Sequence, residues 1–131
     1  MNRSQAFRQQ FTESERTLES SRIRSKYPDR VPIIVERDPR TSSVPELDKR
    51  KYLVPTDLTV GQFLYTLRKR IKLPPEQALF LFLVDHRNGE QQLPPTAALL
   101  SEMDRRYTAK DGFLYVTYGG ENVFGAYHPS Q

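Results

Sequence analysis

Hydrophobic and polar positions divide the chain into two unlike parts. The first thirty or so residues are rich in Arg, Ser, Gln and Glu, with few apolar side chains. Composition alone would leave such a stretch disordered. Thr12-Glu13-Ser14-Glu15 argues otherwise, because a Thr followed three residues later by Glu has capping-box spacing. Hydroxyl and carboxylate then satisfy two backbone N–H groups reciprocally. The spacing predicts a helix over about residues 13–25. Tyr27-Pro28 stops it, since the residue before a proline avoids the α region. Phe7 and Phe11, four apart, predict a shorter helix ahead of it.

From Arg30 the apolar signal strengthens. Val31-Pro32-Ile33-Ile34-Val35-Glu36 reads as a strand, with Pro32 limiting it to an edge or a strand start. Residues 37–45 are polar with two prolines, hence a loop. Lys51-Tyr52-Leu53-Val54 is a second strand ended by Pro55. Thr59 and Gln62 then form a capping box, flanked by Leu58 and Phe63 at hydrophobic-staple spacing. Val60, Phe63, Leu64, Leu67 and Ile71 recur as one buried helical stripe. Arg68, Lys69, Arg70 and Lys72 crowd its last turn, where cations suit the negative end of the helix dipole. Leu73-Pro74-Pro75 terminates it.

Leu79 to Val84 is a continuous apolar run, the pattern of a strand buried on both faces. Asp85 to Gln92 reads as a polar loop around the turn-favouring pair Asn88-Gly89. Thr96 is placed to cap a short helix through Ala97, Leu99, Leu100 and Met103. Phe113 to Tyr118 is a last strand, rich in aromatic and β-branched residues. Beyond it, residues 119–131 are Gly-rich and lack periodicity, which predicts a tail.

This order implies an α+β fold: a ubiquitin-like β-grasp, with a four-stranded mixed sheet, a crossing helix and two N-terminal helices. The parallel pairing of the first and last strands at its centre comes by analogy, not from the pattern. The expected organisation is a helical extension over 1–28, a β-grasp core over 29–119 and a flexible tail over 120–131.

Composition narrows the chemistry. With 131 residues the chain fits one domain, and a chain of this size can bury a core unaided by disulfides or metal. It has no Cys, which excludes a disulfide scaffold, a Cys-ligated zinc site and a cysteine nucleophile. Two His cannot make a three-His metal site. His86 and His128 both fall in predicted loops and read as surface residues. A net charge of +4 is mild, without the dense basic cluster and interleaved aromatics that mark a nucleic-acid binder. No segment approaches the roughly 18 to 20 apolar residues that span a bilayer. The polar N-terminus shows no secretory h-region, residue 2 is Asn rather than a myristoylated Gly, and no C-terminal Cys invites prenylation. No paired carboxylates, nucleophile constellation or Gly-rich phosphate loop suggests an enzyme.

A series of motifs carries a family resemblance. Asp48-Lys49-Arg50-Lys51-Tyr52-Leu53-Val54-Pro55 is followed by Asp57-Leu58-Thr59-Val60-Gly61-Gln62-Phe63 and Arg68-Lys69-Arg70-Ile71. Then come Leu93-Pro94-Pro95-Thr96-Ala97-Ala98-Leu99, Asp111-Gly112-Phe113-Leu114-Tyr115-Val116-Thr117-Tyr118 and Glu121-Asn122-Val123-Phe124-Gly125. From about Phe7 to Gly125 the chain resembles the autophagy-related ubiquitin-like modifiers, the GABARAP and microtubule-associated light-chain family, in unprocessed precursor form. Three positions depart from that pattern: Thr12 stands for a usual Pro or Ser, the 85–92 loop is longer, and Thr66 replaces an aliphatic residue.

The resemblance implies a modifier that is not an enzyme and has no cofactor beyond covalent phosphatidylethanolamine. A processing cysteine protease would cleave after Gly125, with Phe124 as an apolar anchor, and release residues 126–131. Activating and conjugating enzymes would then join the new carboxylate to the lipid. A residue without a Cβ suits passage through narrow active sites. The absent membrane signal would thus be supplied after synthesis, taking a cytoplasmic protein to the autophagosomal membrane. Gly119-Gly120 is not the terminus implied, because the family tail runs on to Phe-Gly.

The resemblance also implies a groove for cargo receptors with an acidic aromatic-x-x-aliphatic motif, added as a strand beside Lys51 to Val54. Its aromatic pocket would use Glu19, Ile23, Pro32, Ile34, Lys51, Leu53 and Phe113. Its aliphatic pocket would use Tyr52, Val54, Pro55, Leu58, Phe63 and Thr66, with Thr66 making it more polar. Arg30, Lys49 and Arg70 would form a basic rim with Lys51. The same cations also protect an edge strand from aggregation, and the apolar residues also pack a core. A different function on the same fold is a soluble, unconjugated adaptor in vesicle or microtubule traffic, which has no need of the Phe124-Gly125 tail.

Overall fold

The computed structural model describes residues 5–41 and 43–121. Two short helices lead: α1 (Phe7–Gln10) and α2 (Glu13–Lys26). Strands β1 (Arg30–Arg37) and β2 (Lys51–Pro55) follow, then helix α3 (Val60–Ile71) and strands β3 (Phe80–Val84) and β4 (Gln91–Gln92). Helix α4 (Leu100–Tyr107) and strand β5 (Leu114–Gly119) close the body. The sheet order is β2-β1-β5-β3-β4, with β1 and β5 parallel at the centre and the other neighbours antiparallel. The β-grasp expected from the element order is therefore present.

The capping boxes form as spaced. Thr12 Oγ1 accepts the Glu15 N–H at 3.1 Å while Glu15 accepts the Thr12 N–H at 2.8 Å. Thr59 and Gln62 repeat this at 3.1 and 2.9 Å. The sheet is covered on both faces. Val31, Ile33, Tyr52, Val54, Leu81, Leu83, Leu114 and Val116 pack beneath α3 and α4. Ile34, Phe113 and Tyr115 pack with Phe7, Phe11 and Ile23 of the N-terminal helices. Double coverage explains why β1 and β3 read as apolar runs rather than alternations.

Pro32 lies in an interior strand, yet breaks no ladder bond. The Val35 N–H donates to the Arg50 carbonyl at 2.8 Å, so odd positions of β1 bond β2 and even positions face β5. Pairing with β5 begins only at Ile33. Pro32 thus sits at a strand start with respect to the neighbour that its nitrogen faces.

Four details depart from the sequence reading. The sheet has five strands rather than four, because the 85–92 segment folds back as β4. Asn88-Gly89 makes the turn, with Gly89 at φ 75° and its N–H bonded to the Asp85 carbonyl at 2.7 Å. Gln91 is then held by Thr117 Oγ1 at 2.8 Å. Helix α4 begins at Leu100, and Thr96 does not cap it. Residues 96–98 instead serve α3: Val60 donates to the Ala98 carbonyl and Gly61 to that of Thr96, both at 2.9 Å, while Leu100 donates to Leu58 at 2.8 Å. Two helix N-termini thereby satisfy N–H groups that neither helix can satisfy alone.

The third difference is His86, which is no surface residue. It is half-buried 5.2 Å from the Tyr115 ring, with Nε2 buried and lacking a hydrogen bond. Burial lowers its pKa, and the Arg8 charge adds to this against the pull of Asp111 and Asp85. Fourth, Gly119 and Gly120, read from the sequence as part of the Gly-rich end, are held by the body. Gly119 pairs with Phe80, and Gly120 is buried with its N–H on Thr41 Oγ1 at 3.2 Å. His128 and the rest of 122–131 lie outside the described residues.

The N-terminal extension is bolted to the sheet by polar groups. Arg24 makes a bidentate pair with Asp104 at 2.8 and 2.9 Å and also donates to the Gly112 carbonyl. Ser20 donates to the Asp111 carbonyl, and Arg16 donates to Asp111 Oδ2 at 2.8 Å. Gly112 takes φ 90°, and a Cβ there would overlap the Ser20 hydroxyl. Gly112→Ala is therefore expected to cost about 1–3 kcal/mol, from backbone strain and a broken α2 contact. A lower urea midpoint at unchanged m-value checks it.

Candidate functional site

Strand β2 is an edge of the sheet. The alternation set by the Val35–Arg50 bond turns the N–H and C=O groups of Tyr52 and Val54 towards β1. Those of Lys51 and Leu53 face the open side. Arg30 reaches the Leu53 carbonyl only at 3.4 Å. Backbone groups on an open edge can accept another strand.

Side chains alternate across this edge with period two. Lys51 and Leu53 stand on the α2 face, beside Glu19 and Ile23. Lys51 Nζ meets Glu19 Oε2 at 2.5 Å, bridging β2 and α2. Pro32, Ile34 and Phe113 are buried and form the floor rather than an open wall. Phe113 packs edge-on to Phe7 with ring centroids 5.4 Å apart. The seven residues assigned to the aromatic pocket thus fall on the α2 side of β2, in its floor and rim.

Tyr52 and Val54 stand on the α3 face. Tyr52 meets Phe63 edge-on at 5.8 Å, and Phe63 is fully buried beneath it. Pro55 and Leu58 are half-buried, and Thr66 is exposed on α3. The Thr66 hydroxyl donates to the Gln62 carbonyl at 3.1 Å, so its proton is used within the helix. That weakens the expectation of a polar aliphatic pocket. The hydroxyl of Tyr52 is buried without a hydrogen bond, and burial pushes it up to about 12.

The basic rim is present, but much of it is engaged. Arg70 pairs with Asp48 through two bonds at 2.8 and 3.1 Å, which raises its pKa. Lys49 Nζ lies 4.6 Å from the Tyr52 ring centroid, over its face. Glu19 and Asp48 thus already pair with two of the four rim cations. Glu19 was assigned from the resemblance; the Asp48 pairing was not, and no local spacing joins residues 22 apart. The Lys51–Glu19 and Arg70–Asp48 pairs are both solvent-accessible, and such pairs contribute little net stability. Their cations can exchange partners at small cost.

Among the described residues no group of His, Cys, Asp or Glu can hold a metal ion, and no helix is long and apolar enough to cross a membrane. Phe124 and Gly125 lie outside the described residues.

Comparison with known proteins is consistent over nearly the whole chain. The family model described as Autophagy protein Atg8 ubiquitin like matches residues 15–125. Autophagy-related protein 8 of Schizosaccharomyces pombe is 53% identical over 123 residues, covering 94% of this chain and 96% of the relative. Autophagy-related protein 8c of Arabidopsis thaliana is 55% identical over 120 residues, covering 92% and 95%. The crystal structure of Trypanosoma brucei ATG8 superposes with a TM-score of 0.78 at 38% identity, covering 91% of this chain and 97% of that one.

Proposed function

The chain belongs to the Atg8 family of ubiquitin-like autophagy proteins, and from that premise we propose how it works. It is made as a precursor and cleaved after Gly125 by a cysteine protease. Activating and conjugating enzymes then join it to phosphatidylethanolamine. The family match ends on Gly125 with six residues beyond it, which supports that residue as the mature terminus. Two acyl chains give stable attachment where one is marginal, since each buried CH₂ contributes about 0.8 kcal/mol. The chain performs no thiol chemistry itself; it is carried by enzymes that do.

Once on the autophagosomal membrane, it recruits cargo receptors through the β2 edge. That open edge, with Lys51 and Leu53 on one face and Tyr52 and Val54 on the other, is the observation that supports the reading. An acidic peptide of the aromatic-x-x-aliphatic type adds as a strand along Lys51 and Leu53. Its aromatic side chain enters on the α2 face, and its aliphatic one on the α3 face. Its acidic residues take over Lys51 and Arg70 from Glu19 and Asp48. Cations at the rim mainly speed encounter and set orientation.

Charge reversal tests this. Lys51→Glu is expected to weaken binding of such a peptide by about tenfold, from one lost and one repulsive exposed pair. The salt dependence of binding should flatten with it. Unchanged affinity and unchanged salt dependence in a fluorescence anisotropy titration would place the peptide elsewhere. Incubation with the family's protease and an intact-mass measurement separates the modifier from an unconjugated adaptor. Loss of residues 126–131 is expected for the modifier, and an unchanged mass for the adaptor.

A further inference from the structure

The connection between β1 and β2 places an exposed hydroxyl against the end of β5. Its described residues, 38–41 and 43–50, form neither helix nor strand. Ser43 is exposed there, whereas Thr41 is 3% exposed and its hydroxyl accepts the Gly120 N–H at 3.2 Å. Ser43 also closes over Gly120. A Cβ on that glycine would stand 2.8 Å from Ser43 Oγ and 3.1 Å from Val44 Cγ2. Gly120 is buried and directly follows the last residue of β5. An exposed nucleophile thus marks the point where the chain leaves the sheet.

The residues around Ser43 select a class of enzyme. Arg40 stands three positions ahead of it, and Val44 follows it. Protein kinases with an acidic cleft choose substrates by such a charge pattern on an irregular segment. Releasing Arg40 has a limited cost. Its guanidinium bonds both Asp38 oxygens, at 3.0 and 2.8 Å, and Gln91 at 2.9 Å, yet the side chain is 47% exposed. When it swings away, Asp38 keeps the Arg40 N–H at 2.9 Å and the Gln91 amide at 3.3 Å. The buried carboxylate is therefore not stranded.

We propose that Ser43 is a phosphorylation site for a basic-directed protein kinase, and that its phosphate restrains processing of the tail. Ser43 Oγ attacks the γ-phosphorus of a magnesium-bound nucleoside triphosphate. An O–P bond forms and the bond from that phosphorus to the β–γ bridging oxygen breaks. The nucleoside diphosphate leaves, and the hydroxyl proton passes to the kinase's base. The product carries about −1.5 to −2 charges at pH 7. The restraint rests on the proposed cleavage after Gly125. Residues 121–125 alone separate Gly120 from that bond, and five residues span at most about 18 Å. A protease holding Gly125 therefore lies within that distance of Gly120, on which Ser43 sits. Phosphate there adds bulk and charge beneath the docking enzyme. It also sets a like charge near Glu121, the residue after Gly120.

The test uses the full chain, a calcium/calmodulin-dependent protein kinase as probe, and magnesium ATP. Intact mass and peptide mapping are expected to show one phosphate, on Ser43. Ser43→Ala should remove it, and Arg40→Ala should slow its addition about tenfold, as loss of a charge-assisted contact provides. Melting curves confirm that both variants are folded. A folded wild-type chain that takes no phosphate, or takes it on Ser42 instead, overturns the site. Phosphorylated and untreated chains are then given to the family's protease. The phosphorylated chain should be cut roughly fivefold more slowly through a raised KM, while kinase-treated Ser43→Ala keeps the untreated rate. Equal rates for the two wild-type forms overturn the restraint. An untreated chain that is not cut after Gly125 overturns the processing reading and the restraint with it, and leaves the mapped phosphate on Ser43 standing.

Discussion

A Gly125→Ala chain is expected to accumulate at full length and to remain unlipidated. On the proposed route one atom carries both reactions: the Gly125 carbonyl carbon is the scissile acyl group in processing and the acyl donor in conjugation. Each step requires the terminus to thread a narrow active site and present that carbon to a cysteine. A Cβ at this position displaces the carbonyl and narrows the allowed backbone conformations. Misplacement of a reacting atom by about 1 Å can cost on the order of a hundredfold in rate. Either slowed step suffices to hold back the lipidated product. Gel mobility and intact mass from starved cells check the result. A lipidated band as strong as wild type would reject Gly125 as the acyl donor.

Asp111→Ala is expected to produce the largest loss of stability of any single polar truncation discussed for this fold. Asp111 is 2% exposed and holds four groups from three segments. Its carboxylate accepts Arg16 Nε at 2.8 Å, the Phe113 N–H at 3.0 Å and the Tyr115 hydroxyl at 2.5 Å, and its carbonyl accepts Ser20. Truncation leaves Arg16 Nε and the Tyr115 hydroxyl without their acceptor and removes the carboxylate that balances the largely buried guanidinium, which keeps only the Phe11 and Arg8 carbonyls. Removing one partner of a buried pair typically costs about 3–5 kcal/mol. That corresponds to a melting temperature lowered by roughly 10 °C or more.

The same group gives a pH signature. Burial pushes the Asp111 carboxyl up, but hydrogen bonds from Tyr115, Phe113 and Arg16 outweigh it and hold it below the usual carboxylate range. The folded state thus binds this proton less readily than the unfolded state. The stabilisation is complete above the ordinary aspartate value of about 3.9 and disappears as pH falls through the lower folded value. In Asp111→Ala the acid limb of the stability curve should be shallower. A variant within 1 kcal/mol of wild type would show that α2 does not depend on this cluster.

What could be read from the chain was local. The Thr12-Glu15 and Thr59-Gln62 boxes marked both major helices within a residue or two, because capping depends on neighbours three positions apart. The apolar run of β3 marked a buried strand in the same local way, whereas Pro32 made β1 read as an edge or a strand start. Tertiary choices were invisible. Thr96 looks like a cap, yet its carbonyl is spent on Gly61 across the fold, and α4 starts later. Asn88-Gly89 promised a turn, but only the adjoining β3 makes Gln91 and Gln92 a strand. His86 is drawn inward by Tyr115, a partner 29 positions away.

The candidate site divides the same way. Its residues were named through resemblance, and alternation along β2 accounts for their sorting onto two faces. No pattern announced that Asp48 would occupy Arg70, or that Thr66 would turn its hydroxyl into its own helix. Those are pairings between or within formed elements, and they decide how polar the groove is before a ligand enters.

Amide hydrogen exchange across β2, with and without saturating acidic aromatic-x-x-aliphatic peptide, tests docking by strand addition most directly. The N–H groups of Lys51 and Leu53 point to the open edge, whereas those of Tyr52 and Val54 already bond β1. The peptide is therefore expected to slow exchange at Lys51 and Leu53 by about tenfold or more, with little change at Tyr52 and Val54. A saturated complex in which Lys51 and Leu53 still exchange at their free rates would contradict the account.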